Sequence, residues 1–317
     1  MLAIYEQWLL LFSIPLYTVI ILTEIIASHW QHKRYYTWKD TVQNIYLMLL
    51  NSGLDIFTRS VSLLVLTYFF NLHIVSFTEK SWLYWLLLLI AQDFMYYWLH
   101  RLDHLVRFFW ATHVTHHSSP VFNLTVGFRS SVFQPVYRFI YFIPLAIAGF
   151  HPLDIALIYS ATQIWGILVH TNYVKKMGVL EYILVTPSHH RVHHASNVLY
   201  LDRNMGMFLI VWDRLFGTFQ EELPAHKYEP IQFGLTKPLA KETPAQLVFH
   251  EWIDLWHTIK QPIPLHLKFK YLIMPPGWSH DGSSKTSEEL RREMFITSAK
   301  TNAVKGDFET VQNNAFT

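Results

Sequence analysis

The sequence predicts an all-α integral membrane protein: about four to five membrane helices with a cytoplasmic helical cap that carries a histidine-rich dimetal site. Three observations predict it. Of 317 residues, 51% are hydrophobic and only 15% charged, against about 25% charged in a typical soluble domain. The apolar residues fall in runs of about 20, the length a helix needs to cross the hydrocarbon core. The 19 histidines are concentrated in a few short boxes. This composition excludes a disordered chain. A net charge of +2 offers no basic excess for nucleic acid. The absence of cysteine excludes disulfides, thiolate nucleophiles, iron–sulfur clusters and cysteine-ligated zinc.

The first span is Leu9 to Ala27, with Glu24 near its end. It has no basic leader and no small-residue cleavage site, so it reads as a span and not as a signal peptide. Asn44 to Phe70 is the second, with Asp55 and Arg59 at i,i+4 and able to pair on one face. Trp82 to Leu99 is the third. Val132 to Phe150 and Leu153 to Val169 read as two more, separated by the turn from Gly149 to Pro152. Lys and Arg crowd the segments 28–43, 100–129 and 170–214, while the opposite loops hold only Lys80. The positive-inside rule therefore puts all the histidine-rich segments in the cytoplasm, of a bacterial inner membrane or an endoplasmic reticulum membrane.

Four regions follow: N-terminal membrane helices (1–81), a histidine-box catalytic domain (82–222), a linker with an amphipathic or capping segment (223–278) and a disordered tail (279–317). Four prolines punctuate the stretch from Glu221 to Pro244. In the stretch Gln246 to Lys260, Val248, Trp252, Leu255, Trp256 and Ile259 share one face, which suits a membrane surface or the cap. A short helix around 287–295 interrupts the tail.

The boxes are His100-Arg-Leu-Asp-His104, His113-Val-Thr-His116-His117 and His190-Arg-Val-His193-His194. Residues at i, i+3 and i+4 share a helix face, so each box presents its imidazoles in one direction. Thr186-Pro187-Ser188 marks a helix start before the third box. Neutral imidazole suits iron, zinc, copper and nickel. A tetrahedral zinc takes at most four ligands, so these boxes fit two ions. Zinc cannot reduce O2; iron can, and is the ion expected for oxidation chemistry. The scattered His29, His32, His73, His151, His226, His250, His257, His266 and His280 are read as ordinary core or surface residues.

At these boxes the chain resembles the fatty acid hydroxylase/sterol desaturase superfamily of membrane di-iron enzymes, over roughly Trp82 to Glu221. Thr115-His-His-Ser-Ser119, Asn123-Leu-Thr125, the run Thr186 to His194 and Trp212-Asp-Arg-Leu-Phe-Gly-Thr218 look like its alkylglycerol monooxygenase-like branch and bacterial relatives. The resemblance implies O2-dependent hydroxylation or desaturation of a lipid drawn from the bilayer, with two Fe ions. In that branch it implies hydroxylation beside an ether oxygen, with a reduced pterin as external electron donor. It also implies a further ligand between the second and third boxes, which His170 matches. Some members pair that histidine in an HxxxH; here the partner position is Val174.

Other residues join the candidate set. His189 is a further metal or supporting residue, although it points about 100° from His190 on a helix. Asp93, seven residues before His100 on the same face, is placed to accept a hydrogen bond from a ligand imidazole. Asn123 and Arg129 follow the second box and are placed to contact a substrate headgroup. Asp202, Arg203, Asp213 and Arg214 read as structural ion pairs, and Asp103 suits the surface. No dinucleotide fingerprint, no cytochrome b5 HPGG haem motif and no GxSxG elbow occurs. Electrons must therefore come from a separate pterin, cytochrome b5 or ferredoxin-type donor. Against the lipid hydroxylase stand a sterol or fatty-acyl desaturase or hydroxylase, and, from another class, a membrane metal-binding or transport protein.

Overall fold

Helices form wherever the sequence supplies an apolar face and a cap. The computed structural model describes residues 2–239 and 241–299. Its helices are α1 (Leu2–Trp30), α2 (Trp38–Phe70), α3 (Trp82–Leu105), α4 (Arg107–His117), α5 (Ile143–Ile147), α6 (Pro152–Leu168), α7 (Pro187–His193), α8 (Val211–Leu215), α9 (Pro244–Lys260) and α10 (Leu265–Ile273). An eleventh, α11, runs over 287–299. Among the described residues there is no β-strand, only two isolated bridges. Thr37, Ser81 and Thr243 cap the starts of α2, α3 and α9, and prolines open α6, α7 and α9, where a missing N–H costs nothing.

Among the described residues, two helices are long and apolar enough to cross a membrane, Leu11–Trp30 and Trp38–Phe70. In α1, Ser13, Tyr17, Glu24 and Ser28 are buried while Leu11, Phe12, Val19, Leu22 and Ile26 are exposed. That inverts the soluble pattern: polar groups face the protein and apolar ones face outward. Glu24 accepts from Tyr36 at 2.7 Å and from Thr171 at 2.5 Å, tying α1 to the chain after α6.

The expected span from Val132 to Phe150 is not one helix. It is two 3-10 turns, Gln134–Val136 and Arg138–Phe142, followed by the five-residue α5. Pro135 and Pro144 remove backbone donors and clash with a continuing helix. Its apolar side chains still find a core. Phe142, Leu145, Ala146 and Phe150 pack with Leu66, Tyr84, Leu88 and Ile155 from α2, α3 and α6. The Asp55 carboxylate also takes Arg138 from the turn after Gln134–Val136.

Val106 breaks the chain between α3 and α4, so the first two boxes fold back on each other. On α9 the shared apolar face is divided. Val248 and Leu255 are buried, Trp252 and Ile259 half-buried and Trp256 exposed. Val248 packs with Leu47 of α2 and with Val132. The tail is structured through residue 299: a Thr286/Glu289 capping box opens α11. Residues 300–317 lie outside the described part.

Candidate metal centre

The structure brings the nine box and inter-box histidines together, in two groups. The first holds His100, His104, His113, His117 and His193; the second holds His116, His170, His190 and His194. Within each group the ligand atoms lie within 4.8 Å of one another. The second and third boxes are shared between the groups. His113 and His117, at i and i+4, serve the first group, and His116 turns to the second. His190 and His194 serve the second, and His193 turns to the first. The groups adjoin: the ring centroids of His117 and His194 are 4.6 Å apart, and those of His113 and His116 5.3 Å.

The outer edges of the rings fix their chemistry. The Nδ1 atoms of His100, His116, His170 and His193 lie 2.8, 2.8, 2.7 and 2.9 Å from the carbonyls of Met205, Arg129, Gly166 and Arg203. A carbonyl only accepts, so each Nδ1 carries the proton and each Nε2 keeps a lone pair. His104 Nδ1 bonds Asp202 at 2.9 Å, and His113 Nδ1 bonds the Ser131 hydroxyl at 2.9 Å.

The Nε2 atoms turn inward. His100 to His113 is 3.0 Å and His113 to His117 is 3.2 Å. His170 to His190 is 2.9 Å and His170 to His194 is 3.1 Å. His104 Nε2 and His193 Nε2 are buried with no partner at all. Lone pairs facing each other across 3 Å repel, and a buried acceptor left unmade is costly. A cation removes both penalties. Two nitrogens about 2.1 Å from one ion and at right angles to each other lie about 3.0 Å apart. The donor set therefore fits two metal ions. Burial, and then neighbouring imidazoles, holds His113, His117, His190, His193 and His194 well below the usual histidine range. Burial lowers His116 to about 4. The rings are neutral, as metal ligands must be.

Four further sequence expectations are corrected. Asp93 touches no imidazole; it accepts from the backbone of Phe208 and Leu209 and from the Trp212 indole, each at 3.0 Å. It anchors the loop whose Met205 carbonyl holds His100. His189 belongs to neither group; its ring meets Thr186 at the start of α7 and Glu181 at 3.4 Å. Asn123 is fully buried, donating to the Tyr35 carbonyl and accepting from Thr125. Arg129 is buried too, its guanidinium committed to Thr115, Ser118, Asp40 and Asn44. Neither side chain is free for a headgroup.

Sequence reasoning missed the supports. Asp202 is not merely half of an ion pair but the acceptor for His104. Asp103 is not at the surface: it is buried 3.8 Å from His113, accepting from Gln134 and Tyr137. Asp213 accepts from the backbone of Met205 and Gly206. The signal was present in Asp202-Arg-Asn204, since Asp202 and Asn204 adopt left-handed φ of 50° and 56°, a region that Asp and Asn tolerate better than most. A cavity of about 430 Å³ reaches His104, His117, His193 and His194.

A helical fold with two adjoining groups of inward-facing histidines, each able to hold a metal ion, defines a histidine-box protein. Residues 85–218 match the fatty acid hydroxylase family model, and the chain carries a domain of that family. It is 34% identical over 241 residues to human alkylglycerol monooxygenase, covering 75% of this chain and 53% of that protein. The Xenopus tropicalis alkylglycerol monooxygenase is 36% identical over 200 residues, 63% of this chain and 43% of that one. Ornithine lipid hydroxylase OlsE of Rhizobium tropici is 32% identical over 162 residues, 50% of this chain and 47% of that one. The chain thus spans about half the length of the curated relatives it matches. No solved structure matches it.

Proposed function

We propose that the protein is an O2-dependent membrane lipid monooxygenase with a histidine-ligated di-iron centre, acting on ether lipids. The observation that carries this is the pair of adjoining histidine groups, with buried lone pairs and no anionic or sulfur donor. His100, His104, His113, His117 and His193 would hold one Fe, and His116, His170, His190 and His194 the other. Two bound irons would supply O2 activation for insertion of oxygen into a C–H bond. Around them, the chain's own groups orient the rings through the 166, 129, 203 and 205 carbonyls, Asp202 and Ser131, and exclude water by burial.

The substrate would come from the bilayer. Membrane passes by α1 and α2, with the boxes on the cytoplasmic side of a bacterial inner membrane or endoplasmic reticulum membrane, are supported by the Lys/Arg bias and the outward apolar faces of the two helices. Electrons would come from outside the chain, which has no cysteine. The alkylglycerol monooxygenase relatives favour a reduced pterin over a cytochrome b5 or ferredoxin-type donor. A metal transporter is disfavoured, because the histidines form closed groups and do not line a path.

The test is to incubate detergent-solubilised, iron-loaded protein with an alkylglycerol, reduced pterin and isotope-labelled O2. Label in an aldehyde or acid from the cleaved ether supports the reading. No ether cleavage, with oxidation of a sterol or acyl chain instead, overturns the ether-lipid assignment in favour of a sterol or fatty-acyl hydroxylase or desaturase.

A further inference from the structure

The two histidine groups are supported from different parts of the chain. In the four-histidine group, His116 and His170 lean on the carbonyls of Arg129 and Gly166, both inside the matched domain. In the five-histidine group, three rings lean on one short loop: His104 on Asp202, His193 on Arg203 and His100 on Met205. That loop needs a support of its own, because Asp202 and Asn204 hold positive φ, which costs energy unless the surroundings fix it.

One support comes from α11, beyond the matched domain. The chain reverses at Gly277, with φ of +83°, where a Cβ would meet the Lys285 backbone. Thr286 and Glu289 then form the capping box that starts the helix. From α11, Ser287 approaches the Asp202 carboxylate and lines the same cavity. Arg291 donates to the Leu201 carbonyl and faces Asp202. Met294 packs on the buried cluster of Val192, Ala195, Leu199 and Tyr200, and Tyr228 bridges Met294 to the Leu199 amide. A surface helix thus bonds and packs against the residues that lead into the turn presenting Asp202.

We propose that α11 is a working part of the five-histidine group: Ser287 and Arg291 hold Asp202, and Asp202 is the positioning residue that keeps His104 turned with Nε2 inward. The proposal rests on the two-metal reading above. A carboxylate behind a ligand imidazole fixes its tautomer and raises its basicity, and losing it costs about 10–100-fold in metal affinity. Because Asp202 touches one group only, the loss falls on one ion of the two.

The experiment is metal analysis on the full chain in detergent, titrated with iron and read by elemental analysis and Mössbauer spectroscopy. The variants are Asp202→Ala, Asp202→Asn and the gentler Ser287→Ala with Arg291→Met. We expect wild type to bind two ions. Asp202→Ala weakens one about 10–100-fold and leaves the other unchanged. Asp202→Asn, whose amide oxygen still accepts from Nδ1, recovers part of that loss, and the α11 double variant weakens the same ion. Two sites of wild-type affinity in Asp202→Ala overturn the proposal. So does equal loss of both ions accompanied by a lower melting point of the metal-free protein, which marks general destabilisation. If Asp202→Ala fails to fold, unchanged affinity in the α11 double variant overturns it. Wild type that binds fewer than two ions refutes the two-metal reading instead.

Discussion

Replacing Arg129 with methionine distinguishes a structural arginine from a headgroup-binding one. Arg129 is 0% exposed and Asp40 is 3% exposed. The guanidinium joins Asp40 and Asn44 of α2 to Thr115 and Ser118 at the end of α4. Methionine keeps the apolar stem and removes the charge. Among the described residues, Asp40 then retains Ser119 and Asn44 as side-chain donors. Breaking a buried pair from one side costs about 3–5 kcal/mol, and the neutral acceptors left behind overlap with that figure. Arg129→Met should therefore lose about 3–5 kcal/mol in chemical unfolding followed in mixed micelles. Adding Asp40→Asn should return part of it, with a coupling of about 0.5–3 kcal/mol. A loss under about 1 kcal/mol, together with a raised KM and unchanged kcat, refutes the reasoning and restores Arg129 to the substrate.

The remaining predictions concern the loop, the ligands and pH. At Gly206 a Cβ would sit 2.6 Å from the Leu209 carbonyl and 2.9 Å from an Asp213 oxygen. Gly206→Ala should displace Met205 from His100, destabilise the fold by about 1–3 kcal/mol and weaken the five-histidine ion; an unchanged iron titration contradicts this. His190→Ala should empty the four-histidine site and leave the other ion bound, as read by Mössbauer spectroscopy of the partly loaded protein. The metal-free protein should lose stability on acidification. Burial holds His113, His117, His190, His193 and His194 well below the usual histidine range, while in the unfolded chain they take up protons near pH about 6.5, so stability is full above that value and falls below it. Unfolding free energies at neutral and at mildly acidic pH check the sign, and a flat profile refutes it.

The boxes were legible because i, i+3, i+4 spacing is a local property of a helix. Their allocation was not. Sending His116 and His193 across to the opposite groups depends on how α4 and α7 face each other, which no spacing encodes. Polar residues near the boxes were misread for the same reason. Asp93 does share a face with His100, but that face is met by the 208–212 loop before any imidazole reaches it. Arg129 and Asn123 looked free because their partners on α2 and before it, Asp40 and Tyr35, are distant in sequence. The apolar run from 132 to 150 passed as a span by composition, while Pro135 and Pro144 decided its conformation. His189 was separable in advance by its angle, and its capping contact with Thr186 accounts for it.

The most direct test of the account is the metal itself. Protein purified from iron-replete cells should contain about two iron atoms per chain, beyond the capacity of a single tetrahedral site, and its Mössbauer spectrum should show two coupled irons in nitrogen-rich environments. One ion per chain at saturation, or none with iron or any other divalent metal, would contradict the two-group centre on which the proposed function stands.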